Sequence, residues 1–103
     1  MDDVRIYTGT LIADLLYSSA RSLKERRGPL RAISQRLRNN DFAVAQVGPA
    51  DRVQRVFLAV TAVSGREGLL QKRLDEAERI IFAGEFEVAD LRRVITSETF
   101  HSY

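Results

Sequence analysis

The 103-residue chain predicts an α+β, ferredoxin-like βαββαβ sandwich, with a four-stranded antiparallel sheet and two helices on one face. Three observations predict it. Apolar residues switch between period 2 and period 3.6 in the order strand, helix, strand, strand, helix, strand, which is the split βαβ arrangement. A short turn cluster separates the two middle strands, so they pair as an antiparallel hairpin. Both helical stretches open on a Ser-x-x-Glu box, at Ser22 and Ser64, which makes the two halves alike.

Residues 4 to 17 are rich in β-branched and aromatic types and contain no proline, so they form a long first strand. One side carries Gly9, Leu11, Ala13, Leu15 and Tyr17 and is the better core face. The other carries Thr8, Thr10, Ile12, Asp14 and Leu16 and is still fairly apolar. After a polar loop, Ser22 and Glu25 start the first helix. Leu23, Leu30, Ile33 and Leu37 share a narrow sector of the helical wheel and form its core stripe. Gly28-Pro29 interrupts it. Either the helix kinks there or a new helix begins with Pro29 at its first position, and the unbroken phase of the stripe favours the kink. Asn39-Asn40 ends it through the left-handed conformation.

Phe42 to Val47 is the second strand, Gly48 to Asp51 a turn, and Val53 to Val63 the third strand, with Val56, Leu58, Val60 and Ala62 on one side. Ser64 and Glu67 open the second helix, whose core stripe is Leu70, Leu74, Ala77 and Ile81. Gly84 closes it. Phe86 to Ile95 is the last strand, so a single domain spans 1–95. Residues 96–103 read as a polar, frayed tail.

A chain of this length buries roughly two-thirds of its unfolded surface, enough for one core. It has no cysteine, which excludes disulfides and thiolate chemistry. No apolar run approaches the ~20 residues that cross a bilayer. Met1-Asp2-Asp3 has the wrong sign for a signal peptide, so a cytoplasmic protein is expected, with no membrane partner. The formal charge of +2 is unevenly spread: Arg21 to Arg38 holds seven basic residues and one acid, Glu25. A basic first helix therefore sits on a mildly acidic body.

Catalytic chemistry finds little support. The one histidine, His101, lies in the tail. Asp75, Glu76 and Glu78 come nearest to a metal cluster, but they read as the solvated side of the second helix. No glycine-rich loop has phosphate-cradling spacing. No cofactor is expected. On a continuous helix Lys24, Arg27, Arg31 and Arg38 share one flank spanning about 20 Å. Arginine suits bidentate contact with phosphate, and such a row can meet several phosphates of a nucleic-acid backbone. The opposing account is an ordinary solvated helix face. Stacking of RNA bases on Tyr7 and Phe57 beside Arg55 is a weaker route, because the RNA-recognition signature is absent from the third strand.

Ser-Leu-Lys-Glu-Arg-Arg at 22–27 resembles the signature of the YlxP-like family of small bacterial proteins. Gly9-Thr10-Leu11, Asp14-Leu15, Arg36-Leu37-Arg38, Phe42-Ala43-Val44, Val47-Gly48, Asp51, Gln54-Arg55 and Val60 to Ser64 extend the similarity over roughly residues 6 to 95. The resemblance implies a ferredoxin-like fold and a role connected with RNA or the ribosome, since members are often encoded beside translation factors. It implies no catalytic residues. The chain departs from the family pattern at Gln46, where Glu is usual, at Val53, where an aromatic is frequent, and at Gly28-Pro29.

These readings lead to a non-enzymatic RNA- or ribosome-associated factor. Lys24, Arg26, Arg27, Arg31 and Arg38 are expected to contact phosphates of ribosomal RNA or a ribosomal subunit, with Arg55 extending the footprint. The alternative is a structural or regulatory homodimer that pairs through the open sheet face at Ile12, Leu16 and Phe57. A third reading, an enzyme holding a small acidic substrate on its arginines, lacks a convergent acid, base or nucleophile.

Overall fold

β1 (Val4–Leu16) is the spine of the molecule. In this computed structural model, which describes residues 2–101, it pairs antiparallel with β3 (Arg55–Ser64) on one side and β4 (Glu87–Phe100) on the other. β2 (Ala43–Val47) pairs with the outer edge of β3, and the sheet order is β2-β3-β1-β4. α1 (Leu23–Asn39) and α2 (Glu67–Ala83) connect the strands in a βαββαβ order, which is the ferredoxin-like fold.

Alternation along the central strands decides which face the helices cover. Leu11, Ala13 and Leu15 of β1 are fully buried, as are Val56 and Val60 of β3. They form one core with Ile33 and Leu37 of α1 and with Leu70, Leu74, Ala77 and Ile81 of α2. Gly9 completes the buried side of β1. A Cβ there would stand 2.6 Å from Leu74 Cδ1 and 3.2 Å from both Leu70 methyls, so the missing side chain lets α2 settle onto the strand. Arg93 of β4 clamps the same helix, with Nη2 donating to Asp75 at 2.8 Å and pairing with Glu78 at 3.1 Å.

α1 runs unbroken through Gly28-Pro29 instead of splitting there. Ser22 caps it, its Oγ accepting from the Glu25 amide at 3.2 Å, while Glu25 Oε2 accepts from the Arg21 amide at 2.7 Å. Leu23, expected in the core stripe, is 37% exposed. It lies in the first turn, beyond the reach of the sheet core. The left-handed residue after the helix is Asp41 (φ 66°), not Asn39 or Asn40. α2 also departs from expectation. Ser64 is the last residue of β3, its Oγ accepts from the Arg66 amide, and the N-cap is Arg66 without a side-chain hydrogen bond. Gly84 does close α2, in an extended conformation.

The expected tail is largely strand. β4 continues past Ile95 to Phe100 because Val4 to Tyr7 of β1 offers it a partner, in the register Val4↔Phe100 to Tyr7↔Ser97. The β1–β3 register starts only at Tyr7, so Val4–Ile6 and Glu98–Phe100 make a two-stranded ribbon beyond the body. The molecule is accordingly long, 58 × 23 × 21 Å. Met1, Ser102 and Tyr103, the last two of which belong to the expected tail, lie outside the described residues.

Candidate nucleic-acid interface

The cations of α1 divide into two groups with different fates. Leu23, Arg26, Leu30, Ile33 and Leu37 follow one another at spacings of three and four, so Arg26 occupies a position in the inward stripe. It is 5% exposed. Its Nη1 donates to the carbonyl oxygens of Arg52 and, at 2.6 Å, Arg55, and its Nη2 donates to that of Ala50 at 3.4 Å. Its Nε is buried without a partner among the described residues. Arg26 therefore leaves the expected phosphate-binding set. It is a strut between α1 and the β2–β3 loop.

Gln54 reinforces that strut. Its Nε2 donates to the backbone carbonyls of Ser18 and Ala20, both at 3.0 Å, and its backbone carbonyl accepts from the Tyr17 amide at 2.8 Å. The β1–α1 and β2–β3 loops are thus sewn together at the N-terminal end of α1. This holds exposed Arg52 near the same helix end, a neighbour that loop sequence alone did not signal.

Lys24, Arg27, Arg31 and Arg38 point outward and are exposed. They share one flank beside the inward stripe, as the wheel predicts. Arg38 Nη2 donates to the Val44 carbonyl at 3.2 Å, which places that flank along the free edge of β2. None of the four meets a carboxylate among the described residues. The arginine–carboxylate pairs lie elsewhere: Arg55–Asp14, Arg73–Glu76, Arg92–Asp90, and Arg93 with Asp75 and Glu78. The positive charge of α1 is therefore uncompensated within the fold.

Arg55 does not extend this row. Its side chain lies on the opposite, open face of the sheet. There Nε and Nη2 grip Asp14 at 2.8 and 2.5 Å, and the guanidinium sits 5.0 Å from the Phe57 ring centroid. The Arg55 hydrogen bond holds the Asp14 carboxyl below its ordinary pKa, against the opposing effect of burial. Ile12, Leu16 and Phe57 are half-buried on that open face. Tyr7 packs against the core on the other side, so Tyr7 and Phe57 do not share a stacking platform.

The remaining candidates are engaged locally. Asp75 and Glu78 hold Arg93, and Glu76 pairs with Arg73. Among the described residues no group of three His, Asp or Glu side chains could hold a metal ion. His101 Nδ1 lies 2.9 Å from Asp3, exposed at the ribbon tip. No described helix is long and apolar enough to cross a membrane.

Several solved structures resemble the chain at low sequence identity. The de novo designed protein Ferredog-Diesel superposes with a TM-score of 0.50 at 16% identity, covering 84% of this chain and 83% of its own. The structural-genomics protein YJCS gives 0.46 at 12% identity over 84% of this chain and 96% of its own. The designed protein Foldit4 gives 0.48 at 10% identity over 94% and 99%. Likeness at this level concerns the fold alone. No curated protein matches the chain. Residues 8–93 match DUF503, described as a protein of unknown function, and with most of its length matched the chain belongs to that family.

Proposed function

We propose that the chain is a non-enzymatic RNA-associated factor whose first helix binds the phosphate backbone of ribosomal RNA, free or within a ribosomal subunit. One observation carries the reading. Lys24, Arg27 and Arg31 are exposed and make no ion pair among the described residues, although the same small fold pairs Arg55, Arg73, Arg92 and Arg93 with carboxylates. Lys24 stands in the first turn, where the helix dipole is already positive and a cation that only kept the protein soluble gains nothing. A polyanion held there removes that mismatch. The resemblance of the 22–27 motif to YlxP-like proteins points the same way.

Arg38 continues the row toward the C-terminal end of α1, and Arg52 flanks its start. Arg26 supports the interface from within and does not touch the ligand. In this reading the chain contributes charge and shape to the complex and takes no part in bond breaking.

Binding of the full chain to ribosomal RNA, followed by fluorescence anisotropy between 50 and 200 mM salt, tests the proposal. Four phosphate contacts to single-stranded segments give a slope of log affinity against log salt of about −3, or a loss of roughly 50-fold across that range. The Lys24→Ala/Arg27→Ala/Arg31→Ala variant should lower the slope by about 2 units. Absence of binding at 50 mM salt, or an unchanged slope in the triple variant, sinks the reading. Co-sedimentation with ribosomal subunits then separates a ribosomal partner from RNA in general.

A further inference from the structure

We infer that the open face of the sheet is covered by a second copy of this chain, packed sheet against sheet. This goes beyond phosphate binding and does not rest on it. β1 and β3 point Ile12, Ala59, Thr10 and Thr61 outward at the middle of that face, with Val94 of β4 and Val63 of β3 beside them. None of the six is charged. Val63 is 68% exposed and Val94 51%, both high for valines in a four-stranded sheet. Next to them a depression of ≈ 430 Å³ opens between Ile12, Phe57 and Val94, with Asp14, Asp90 and Arg92 at its rim.

The footprint suits a small dimer interface. Strands ~4.8 Å apart with ~3.3 Å per residue give a flat contact of roughly 400–450 Å² when two copies meet about a twofold centred between Val94 and Thr96, where β1 and β4 overlap over most of their length and β3 over its C-terminal half. Side-chain relief raises the accessible area above the flat value, into the range of a small interface that lies below the ~800 Å² per partner of a standard one. The ribbon argues in the same direction, since two strands alone are marginally stable in water and gain from a covering layer.

The charge pattern selects a second copy over a polyanion. The two cations of this face, Arg55 and Arg92, are already paired with Asp14 and Asp90, and Glu98 adds a negative charge, so the face offers no free cation to a phosphate. Arg92 stands opposite Ile12 and Glu98 opposite Ile6, so the two occupy the same side of β4 with Val94 and Thr96 between them. A twofold axis crossing the strands between Val94 and Thr96 brings Arg92 of each copy against Glu98 of the other, and sets Val94 against Thr96. Unlike charges thus meet at both ends of an uncharged middle. α1 lies on the far side of each sheet, so pairing leaves both rows of cations free.

Sedimentation equilibrium of the full chain from about 1 to 100 μM, a range that brackets ordinary protein–protein affinities, is the test. The expected mass is twice the 11.7 kDa of the chain. Val94→Glu should raise the dissociation constant by roughly tenfold or more, as a charge placed at a buried interface centre does. Arg92→Glu should weaken the dimer, and Arg92→Glu/Glu98→Arg should restore it. Phe82→Glu, on the exposed side of α2, should change nothing. Circular dichroism confirms that each variant is folded, and RNA affinity is measured alongside, so a failure here leaves the phosphate reading standing. A wild-type monomer at 100 μM overturns the inference. So does a dimer that survives Val94→Glu, one that yields to Phe82→Glu instead, or a charge swap without rescue.

Discussion

Arg26 Nη1 donates to the backbone carbonyl of Arg55 at 2.6 Å, so a cation of the basic helix is sealed inside the fold and fixes the start of β3. The same Arg55 turns its own side chain to the opposite face and grips Asp14. Two arginines that read alike in sequence therefore serve opposite sides of one sheet, and neither joins the exposed row. That separation shapes how the interface should be dissected.

Arg26→Ala should be a stability variant. It strands loop carbonyls that now share one guanidinium, and hydrogen bonds to charged groups contribute about 1.5–3 kcal/mol each. We expect a loss of roughly 2–4 kcal/mol in urea unfolding, with Arg26→Lys recovering only part, since an ammonium lacks the fork geometry. An Arg26→Ala protein of wild-type stability would remove the strut from the account.

The exposed cations should behave in the reverse way. Lys24→Ala and Arg27→Ala remove positive charge from the positive end of the helix dipole. Thermal melts should therefore show unchanged stability or a gain of a few tenths of a kcal/mol. RNA affinity should fall in the same proteins, a combination that damage to the fold cannot produce.

Asp14 should make stability depend on acid. Its folded-state pKa is depressed, first by the Arg55 hydrogen bond. The contribution is present above the unfolded carboxylate pKa and is lost as pH falls through the folded one. Asp14→Asn should lower stability at neutral pH and flatten its decline in the acid range. Denaturant melts from pH 2 to 7 would read this out, and an unchanged acid limb would speak against the pair.

Gly28 and Pro29 are poor helix formers inside an unbroken helix and should be improvable. A Cβ at Gly28 meets nothing within 4 Å, so Gly28→Ala should add about 0.5–1 kcal/mol. Pro29→Ala restores a missing backbone donor in the helix interior and should add up to ~3 kcal/mol. A gain of 1 kcal/mol raises the Tm of a domain this size by roughly 4–8 °C, well within calorimetric resolution.

Gly9→Ala should act in the opposite direction. The new methyl would press on Leu74 and Leu70, which are both fully buried, and overpacking of this kind costs about 1–3 kcal/mol. If the variant melts with the wild type, α2 does not rest on β1 as closely as described.

Local pattern was enough for the architecture. Period-2 alternation at Leu11, Ala13 and Leu15 and at Val56, Leu58 and Val60 named the buried face of the sheet. The 3.6 period of Leu70, Leu74, Ala77 and Ile81 named the buried face of α2. The row Lys24, Arg27, Arg31 and Arg38 was legible for the same reason, since residues on one helix flank are set by spacing alone. Even the burial of Arg26 had a trace, in its place between Leu23 and Leu30 in the inward stripe, although a charge count treats all arginines as equal.

Partners distant in the chain had no such trace. Nothing local tells Arg26 that the carbonyls of Ala50, Arg52 and Arg55 will converge on it, or tells Arg55 that Asp14 will stand beside it across 41 residues. The extension of β4 to Phe100 depends on Val4 to Tyr7 at the other end of the chain, because a polar strand holds only where a neighbour takes up its backbone hydrogen bonds. Sequence thus determined the elements, their order and the outward cations, all of which follow from short-range periodicity. Tertiary structure decided which of those cations remain free, because only the folded chain brings a distant carbonyl or carboxylate within reach of a guanidinium.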